Sequence, residues 1–364
     1  MRASPALIVL TCTFVLTSAQ ATTVRVHYDA GASTVSVRGD KGPMSWARGA
    51  LAQRVAGEAV WTYTWPDELG AVAMKPVLGD AVAGKVSTGG VYQLAAGSTV
   101  DIYPFFGAPF GKVQIVPEFA SPQLNNQRKL RVYLPPSYQE NAAKRYPVLY
   151  MHDGQNLFDA STAAYGVEWG IDETVNRLIA TGLMDEVIVV GIDNTPDRIA
   201  GYTPCCDPKY GGGKLDAYQS FVVDTVKPYV DKTWRTLPTR EHTAIMGSSL
   251  GGIASVMIAQ RQSAVFSMAG GVSSSFWWNK GAAMARPAAR VSVRFYIDAG
   301  TRDDGLAETE QMRDTMVRQG YSLGKDLKFV AADGGSHNEK SWAARVDQPL
   351  IYFFPWGGAQ QQQR

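Results

Sequence analysis

The sequence predicts an α/β fold with a mostly parallel central sheet, preceded by a small all-β sandwich domain. The chain has 364 residues, which is too long for one average domain and short for three. Residues 23–106 contain short runs in which apolar and polar residues alternate, as they do in strands. After residue 113, strand-like and helical runs follow one another in turn, which is typical of a parallel sheet covered by helices.

The predicted boundaries follow from these changes in pattern. They are a signal peptide over residues 1–21, the β-sandwich over 22–106, a Gly- and Pro-rich linker over 107–113, the α/β domain over 114–356, and a polar tail, expected to be disordered, over 357–364.

The first residues are organised like a secretory signal. Arg2 supplies the positive start, residues 6–16 are apolar, and Ala19-Gln20-Ala21 forms a small-x-small cleavage site. The apolar run is too short to span a bilayer, and no other run is long enough. We therefore expect a soluble protein that is secreted or periplasmic, with no membrane span.

Charge and cysteine content exclude few functions. The formal net charge is +2, from 35 basic and 33 acidic residues, and the basic residues form no block. This argues against nucleic acid as a partner. Cys205 and Cys206 are neighbours, and the sequence is equally compatible with a vicinal disulfide and with two thiols that are reduced or paired with another molecule.

In the sandwich, Trp61, Tyr63 and Trp65 alternate along one run and so share one face of a strand. That face is either core or an exposed ligand surface. Core packing is favoured, which leaves Trp46 as the better candidate for an aromatic side chain that binds a sugar ring. The domain has one histidine, His27, and no pattern typical of a catalytic serine, so we expect no chemistry there.

The α/β domain has six predicted strands and three predicted helices. The predicted strands cover residues 130–134, 148–151, 187–192, 243–246, 293–297 and 327–331. The predicted helices cover residues 168–183, 217–234 and 307–319.

The pattern Gly247-x-Ser249-x-Gly251 directly follows a predicted strand and begins an apolar helical run. It resembles the nucleophile elbow of the α/β-hydrolase fold, in which a serine on a tight strand-to-helix turn is exposed to substrate. Small neighbours are needed there because the turn is strained and crowded. The sequence therefore predicts Ser249 as a nucleophile.

A nucleophilic serine needs a base, and the chain has four histidines. His27 lies in the sandwich, and His242 precedes the strand of the nucleophile, at the wrong end of the sheet. His152 is at the correct end but comes before the serine in the chain. His337 follows the last predicted strand and fits the order serine, acid, histidine, so it is the predicted base.

The acid of the triad is expected after the predicted strand 293–297. Asp298, Asp303 and Asp304 are the candidates. Asp298 continues the strand, whereas Asp303 and Asp304 lie in the loop where an orienting carboxylate belongs. The residues alone leave the choice open.

The oxyanion hole needs two backbone donors. The N–H of Leu250, next to the nucleophile, is one candidate. The segment Asp153-Gly154-Gln155 follows an earlier strand, and a glycine there lets the backbone turn inward, which makes the N–H of Gln155 the other.

Four further motifs stand out in the second half: Tyr150–Asp159, Gly191–Pro196, Ser275–Trp278 and Gly300–Asp303. Through them the chain resembles an esterase family that contains enterochelin esterases, feruloyl and acetylxylan esterases, S-formylglutathione hydrolase and mycolyltransferases. The resemblance covers about residues 114–356 and implies a Ser/His/Asp triad that uses no metal and no cofactor. It places the acid at the residue ending Gly300-Thr301-x-Asp303, so Asp303 is the predicted acid. It also supports Gln155 and Leu250 as the oxyanion donors.

The sandwich more weakly resembles starch-binding-like carbohydrate-binding modules, through residues 45–46, 61–63 and 102–106. Trp277 and Trp278 are candidates for substrate binding, and core packing explains them equally well.

Together these features predict a secreted serine carboxylic ester hydrolase that works through an acyl-enzyme on carbohydrate or related natural-product esters, such as acetyl or feruloyl esters. The substrate is a small molecule or a polysaccharide ester. Two alternatives are acyl transfer to a sugar hydroxyl and a carbohydrate-binding protein whose hydrolase domain is inactive.

Overall fold

The computed structural model describes residues 21–66, 69–285 and 289–357. The predicted signal peptide, apart from Ala21, and the polar tail after Gly357 lie outside the described residues.

Two sheets make up the N-terminal domain, as the alternating pattern predicts. Strands β1, β4, β5 and β9 form one sheet in the order β4-β5-β1-β9, and β2, β3, β6, β7 and β8 form the other. The strands are β1 Thr22–His27, β2 Val35–Gly39, β3 Ala50–Leu51, β4 Gln53–Arg54, β5 Val60–Trp65, β6 Val72–Leu78, β7 Lys85–Val86, β8 Tyr92–Leu94 and β9 Thr99–Ile102.

The alternating aromatics of β5 belong to the core of this domain. Trp61 and Trp65 are 6% and 0% exposed, and the Trp61 Nε1–H donates to the carbonyl of Tyr28 at 3.2 Å. The preference for core packing is therefore confirmed. Trp46, in contrast, is 46% exposed.

Eight strands form the central sheet of the second domain, in the order β10-β11-β13-β12-β14-β15-β16-β17. The pairs from β13 to β17 are parallel, and β10 and β11 add an antiparallel edge. This confirms the mostly parallel α/β-hydrolase sheet. The strands are β10 Lys112–Ser121, β11 Asn126–Leu134, β12 Val148–His152, β13 Ile188–Ile192, β14 Thr243–Ser248, β15 Met268–Val272, β16 Arg294–Arg302 and β17 Leu327–Ser336.

The sequence missed β10 and β15. β10 begins at Lys112, inside the predicted linker, and most of its side chains face solvent, so it lacks the apolar run of a buried strand. β15 reads Met-Ala-Gly-Gly-Val, and its two glycines obscure a strand signal.

Helices cover both faces of this sheet. No helix in the described ranges is both long and apolar enough to cross a membrane. The helices are α1 Ile171–Ala180, α2 Arg198–Tyr202, α3 Leu215–Ser220, α4 Lys227–Thr233, α5 Leu250–Arg261, α6 Trp278–Ala285, α7 Leu306–Arg318, α8 Glu339–Ala343 and α9 Asp347–Phe353, with a π-helical segment Phe221–Val226 between α3 and α4.

The two domains are joined by a buried polar interface. Lys144 Nζ donates to Glu186 Oε2 at 2.5 Å and to the carbonyl of Tyr103 at 3.3 Å. Asn141 Nδ2 donates to the carbonyl of His27 at 2.9 Å. The second-domain residues of this interface precede β12 or β13, so the sandwich packs at the amino ends of the parallel strands. The carboxyl ends, where ligands bind in such sheets, stay free of it.

Candidate active site

Ser249 occupies a strained turn between β14 and α5. Its backbone has φ 56° and ψ −122°, a conformation that non-glycine residues rarely adopt and that recurs at active sites. Its side chain is half-buried. The elbow predicted from the glycine spacing is thus present at the carboxyl end of β14.

The two glycines of the elbow are required by close packing. A Cβ on Gly247 would lie 2.8 Å from His152 Cδ2, and a Cβ on Gly251 would lie 3.0 Å from His152 Cβ. The His152 ring is buried beneath the elbow, where its Nδ1 hydrogen-bonds the hydroxyl of Tyr218 at 2.8 Å. Burial lowers the pKa of His152 to about 4, so this imidazole is neutral at neutral pH.

Two backbone N–H groups are free to bind an oxyanion. Leu250 is the first residue of α5, where N–H groups have no partner within the helix. Gln155 is the middle residue of a single 3₁₀ turn that follows β12 directly. Within the described residues, neither N–H donates to another protein atom.

The turn that carries Gln155 is rigidly held. Asp153, not Gly154, adopts the left-handed conformation, with φ 57°. Gly154 is needed for space instead, because a Cβ there would lie 2.6 Å from the backbone of Gly191. The Gln155 side chain accepts a hydrogen bond from the N–H of Asn194 at 3.1 Å.

Asp153 anchors this turn through a bidentate ion pair. Arg198 donates to both of its carboxylate oxygens at 2.8 Å, and Asn194 Nδ2 donates to Oδ1 at 2.7 Å. Burial alone would raise the pKa of Asp153, but Arg198 and Asn194 outweigh it and hold that pKa below its usual value. The sequence missed Arg198, since a single arginine in a short helix carries no recognisable pattern.

His337 and Asp304 form the decisive pair of the site. The Nδ1–H of His337 donates to Asp304 Oδ1 at 2.7 Å. A carboxylate can only accept, so the bond places the proton of the neutral ring on Nδ1 and leaves Nε2 as the base. The ring of Trp342 packs edge-on against His337, with centroids 5.1 Å apart.

The expected pairing of His337 with Asp303 is wrong in geometry. β16 continues to Arg302 with an irregularity between Gly300 and Arg302, so the turn falls later than the motif suggests. Asp303 then adopts φ 47° and is exposed. Asp304 points inward, and its side chain is 0% exposed.

The second oxygen of Asp304 has its own donors. The Ser273 hydroxyl and the Gly300 N–H both donate to Oδ2 at 2.5 Å. Burial would raise the pKa of Asp304, yet the bonds from His337, Ser273 and Gly300 lower it overall. Asp304 is therefore held as a carboxylate that faces His337.

Behind Asp304 lies a buried arginine that joins two carboxylates. Arg345 Nη2 donates to Asp298 Oδ1 at 3.0 Å, to Asp304 Oδ2 at 3.3 Å and to Ser273 Oγ at 2.6 Å. Asp298, one of the three acid candidates, thus pairs with Arg345 and not with His337. Arg345 lies in the turn between α8 and α9 and belongs to no motif, so it could not be predicted from the sequence.

Ser249 and His337, the predicted nucleophile and base, follow β14 and β17, which β15 and β16 separate in the sheet, and they are not bonded to each other. Ser249 Oγ is 3.4 Å from Ser275 Oγ, and among the described residues no hydrogen bond joins it to His337. A turn after β15 connects the two halves: Ser275 contacts Ser249, and Ser273 contacts Asp304. A hydrogen bond between a catalytic serine and its histidine often forms only when substrate is bound.

Of the two predicted substrate-binding tryptophans, only one is accessible. Trp277 is 40% exposed. Trp278 is 1% exposed, and its Nε1–H donates to the carbonyl of Pro204 at 3.2 Å. The prediction for Trp278 is wrong because that ring packs in the core.

Cys205 and Cys206, which the sequence left as free thiols or a vicinal disulfide, are bonded to each other. They lie in the loop between α2 and α3. The disulfide forms a small ring that includes the peptide bond between the two residues.

One group of three carboxylates within the described ranges has oxygens within 4.8 Å of one another: Glu168, Asp172 and Glu173. Burial, followed by repulsion from Glu173, raises the pKa of Asp172 to about 7. Asp172 and Glu173 lie in the first turn of α1, where the helix dipole favours acidic side chains. We assign no metal to the group.

A family model described as "Putative esterase" matches residues 121–353. The chain belongs to this esterase family. Among curated relatives, the uncharacterised protein YbbA of Bacillus subtilis is 22% identical over 244 residues, which are 62% of this chain and 92% of that protein. The endo-1,4-beta-xylanase/feruloyl esterase of Xylanibacter ruminicola is 29% identical over 162 residues, which are 43% of this chain and 20% of that protein.

Solved structures extend the likeness of this esterase. A ferulic acid esterase superposes with TM-score 0.54 at 24% identity, covering 67% of this chain and 98% of its own. The enterobactin esterase of Shigella flexneri superposes with TM-score 0.53 at 16% identity, covering 88% of each chain. The second domain makes up less than 88% of this chain. The likeness to the enterobactin esterase therefore extends into the N-terminal sheets. At these identities, the fold is what is shared.

Proposed function

We propose that this esterase is an exported serine carboxylic ester hydrolase with Ser249 as nucleophile, His337 as base and Asp304 as the orienting acid. The observation that carries the proposal is the bond from His337 Nδ1–H to a fully buried Asp304 carboxylate, at the sheet edge that also carries a serine on a strained elbow. In this arrangement His337 Nε2 is the one unprotonated ring nitrogen, and we propose that it accepts the proton of Ser249.

The proposed reaction has two halves. Ser249 Oγ attacks the ester carbonyl while His337 Nε2 takes its proton, and the N–H groups of Gln155 and Leu250 bind the oxyanion. The protonated His337 then gives its proton to the leaving alcohol. Water, activated by the same histidine, attacks the acyl-enzyme and releases the acid.

Ester hydrolysis by the purified protein tests this function. The protein is expected to hydrolyse small esters, and His337→Ala is expected to abolish that activity, because His337 Nε2 is the proposed acceptor of the serine proton. Hydrolysis that persists in His337→Ala would contradict the proposal.

The acyl acceptor in the second half, water or an alcohol, decides between hydrolysis and acyl transfer. Adding an alcohol to the same assay separates them, since a transferase makes a new ester in preference to the free acid. An inactive hydrolase domain would give neither product.

For the substrate, we propose a carbohydrate or related natural-product ester. The predicted export signal supports it, as do the ferulic acid and feruloyl esterases among the similar proteins. The N-terminal domain is proposed to bind polysaccharide through Trp46, because an exposed tryptophan offers a flat apolar face in a domain without catalytic groups.

Retention on insoluble glucan or xylan tests the role of Trp46. Trp46→Ala is expected to weaken retention about tenfold, as loss of an aromatic anchor commonly does. A truncated chain is a poorer test, because Phe105 packs in the core of the second domain. Phe110→Ala removes another exposed aromatic and is the control; equal retention of both variants and wild type would refute a binding role.

A further inference from the structure

The loop that contains Cys205 and Cys206 has a defined conformation. It runs from Thr203 to Gly213, and the N–H of Gly213 donates to the carbonyl of Thr203 at 3.0 Å. Asp207 and Gly211 exchange two backbone hydrogen bonds, at 2.7 and 2.9 Å. The disulfide links two neighbours in one arm of this loop and packs against the other arm, since a Cβ on Gly213 would lie 3.6 Å from the Sγ atom of each cysteine.

This loop bridges the two halves of the candidate active site. At its start, the Tyr202 hydroxyl accepts a bond from the N–H of Asp153 at 3.2 Å, next to the turn that carries Gln155. On its other side, Pro204 accepts from the Trp278 ring, and Asp207 Oδ2 accepts from the N–H of Asn279 at 3.2 Å. The loop thus lies between the oxyanion turn and the segment that contacts Ser249.

The loop brings one aromatic ring onto another. Asp207 Oδ1 accepts from the N–H of Tyr210 at 3.0 Å, which fixes that residue. The Tyr210 ring packs edge-on against Trp277, with centroids 5.8 Å apart, and the two rings are 45% and 40% exposed. Trp277 is two residues from Ser275, so its backbone lies within about 7 Å of the residue that touches the nucleophile.

We propose that Tyr210 and Trp277 form a subsite for a six-membered ring of the ester substrate, and that the Cys205–Cys206 disulfide keeps this subsite in place. The ring belongs either to an aromatic acyl group or to a sugar alcohol, since both present a flat face to aromatic side chains. The proposal rests on the proposed function for its occupant. It adds the class of substrate and a structural role for the disulfide.

Binding without turnover tests the subsite independently of catalysis. Calorimetric titration of the Ser249→Ala protein with cinnamate and, separately, with methyl glucoside identifies which ring binds. Tyr210→Ala and Trp277→Ala, each added to Ser249→Ala, are expected to weaken binding of that ring about tenfold. Phe110→Ala is the control, because it removes an exposed aromatic that precedes the edge strand β10, on the side of the sheet where the parallel strands begin. Absence of ring binding, or equal affinity in all variants, overturns the proposal.

Kinetics test the role of the disulfide. Reduction with a phosphine, or the double variant Cys205→Ser with Cys206→Ser, is expected to raise KM about tenfold for the ring-bearing ester, methyl cinnamate or an acetylated methyl glucoside, with kcat little changed. The KM for methyl butyrate, which has no ring, is expected to stay constant. Equal changes for ring-bearing and ring-free esters would show a general loss of structure and refute the specific role. If wild type hydrolyses no ester, the proposed function fails, and the titration still decides the subsite.

Discussion

Ser249→Ala is expected to lower turnover of small esters on the order of a millionfold, as removal of the nucleophile does in serine hydrolases. The fold is expected to persist, because in the part of the chain that the structure describes, Ser249 Oγ has one side-chain hydrogen bond, to Ser275 Oγ at 3.4 Å. Alanine also tolerates the strained elbow no worse than serine, since both have a single Cβ. Rates and melting temperatures of the purified variant are the measurements.

Ser248→Ala is the matched control for this variant. Ser248 is the neighbouring residue, but it is buried at the end of β14 and paired with Val272 in the sheet, so it cannot meet a substrate. We expect it to retain most of the activity. If Ser249→Ala keeps its rate while Ser248→Ala loses it, the assignment of the nucleophile is wrong.

Asp304→Asn is expected to lower turnover about ten-thousandfold, the size of effect seen when the acid of a serine-protease triad becomes an amide. An amide can donate to His337 Nδ1 and so stabilise the wrong tautomer, with the proton on Nε2. Asp303→Asn, one residue away and exposed, is expected to change the rate by no more than a few-fold. Steady-state kinetics of the two variants give the ranking.

If Asp303→Asn lost more turnover than Asp304→Asn, Asp303 would be the acid of the triad. Asp304 Oδ2 also accepts hydrogen bonds from Ser273 and Gly300. An amide NH₂ group at that position would face two other donors, so Asp304→Asn is expected to destabilise the fold as well. Melting temperatures therefore accompany the kinetics. Should Asp304→Asn fail to fold, His337→Ala removes the other partner of the same hydrogen bond. The His337 side chain is 38% exposed, and Asp304 Oδ2 keeps its bonds from Ser273 and Gly300. We therefore expect His337→Ala to cost less folding stability.

Strands with continuous apolar runs and the serine elbow could be predicted from the sequence, because burial and a tight turn each impose a local pattern. Ser249 and His337 both occupy strand ends that such patterns define. Asp304 could not be chosen over Asp303, because the choice depends on the irregular pairing of β16 with β17. A Cβ on Gly300 would lie 2.2 Å from the carbonyl oxygen of Gly335, a contact between residues far apart in the chain.

The ion pairs that support the candidate site could not be predicted from the sequence, for the same reason. Arg198 meets Asp153 across 45 residues, and Arg345 meets Asp298 across 47. Neither arginine belongs to a spacing that chemistry requires, so only the folded chain brings each to its partner. The exposure of Trp277 and burial of Trp278 likewise depend on where the 203–213 loop packs.

The buried contact between Lys144, Glu186 and the carbonyl of Tyr103 has a consequence for how the protein unfolds. Separating the sandwich would remove one acceptor from a buried ammonium and uncover Phe105, which packs with Tyr133 and Leu149 of the neighbouring sheet. Each domain therefore contributes to the stability of the other. We therefore expect the N-terminal sheets and the hydrolase domain to unfold together in one transition.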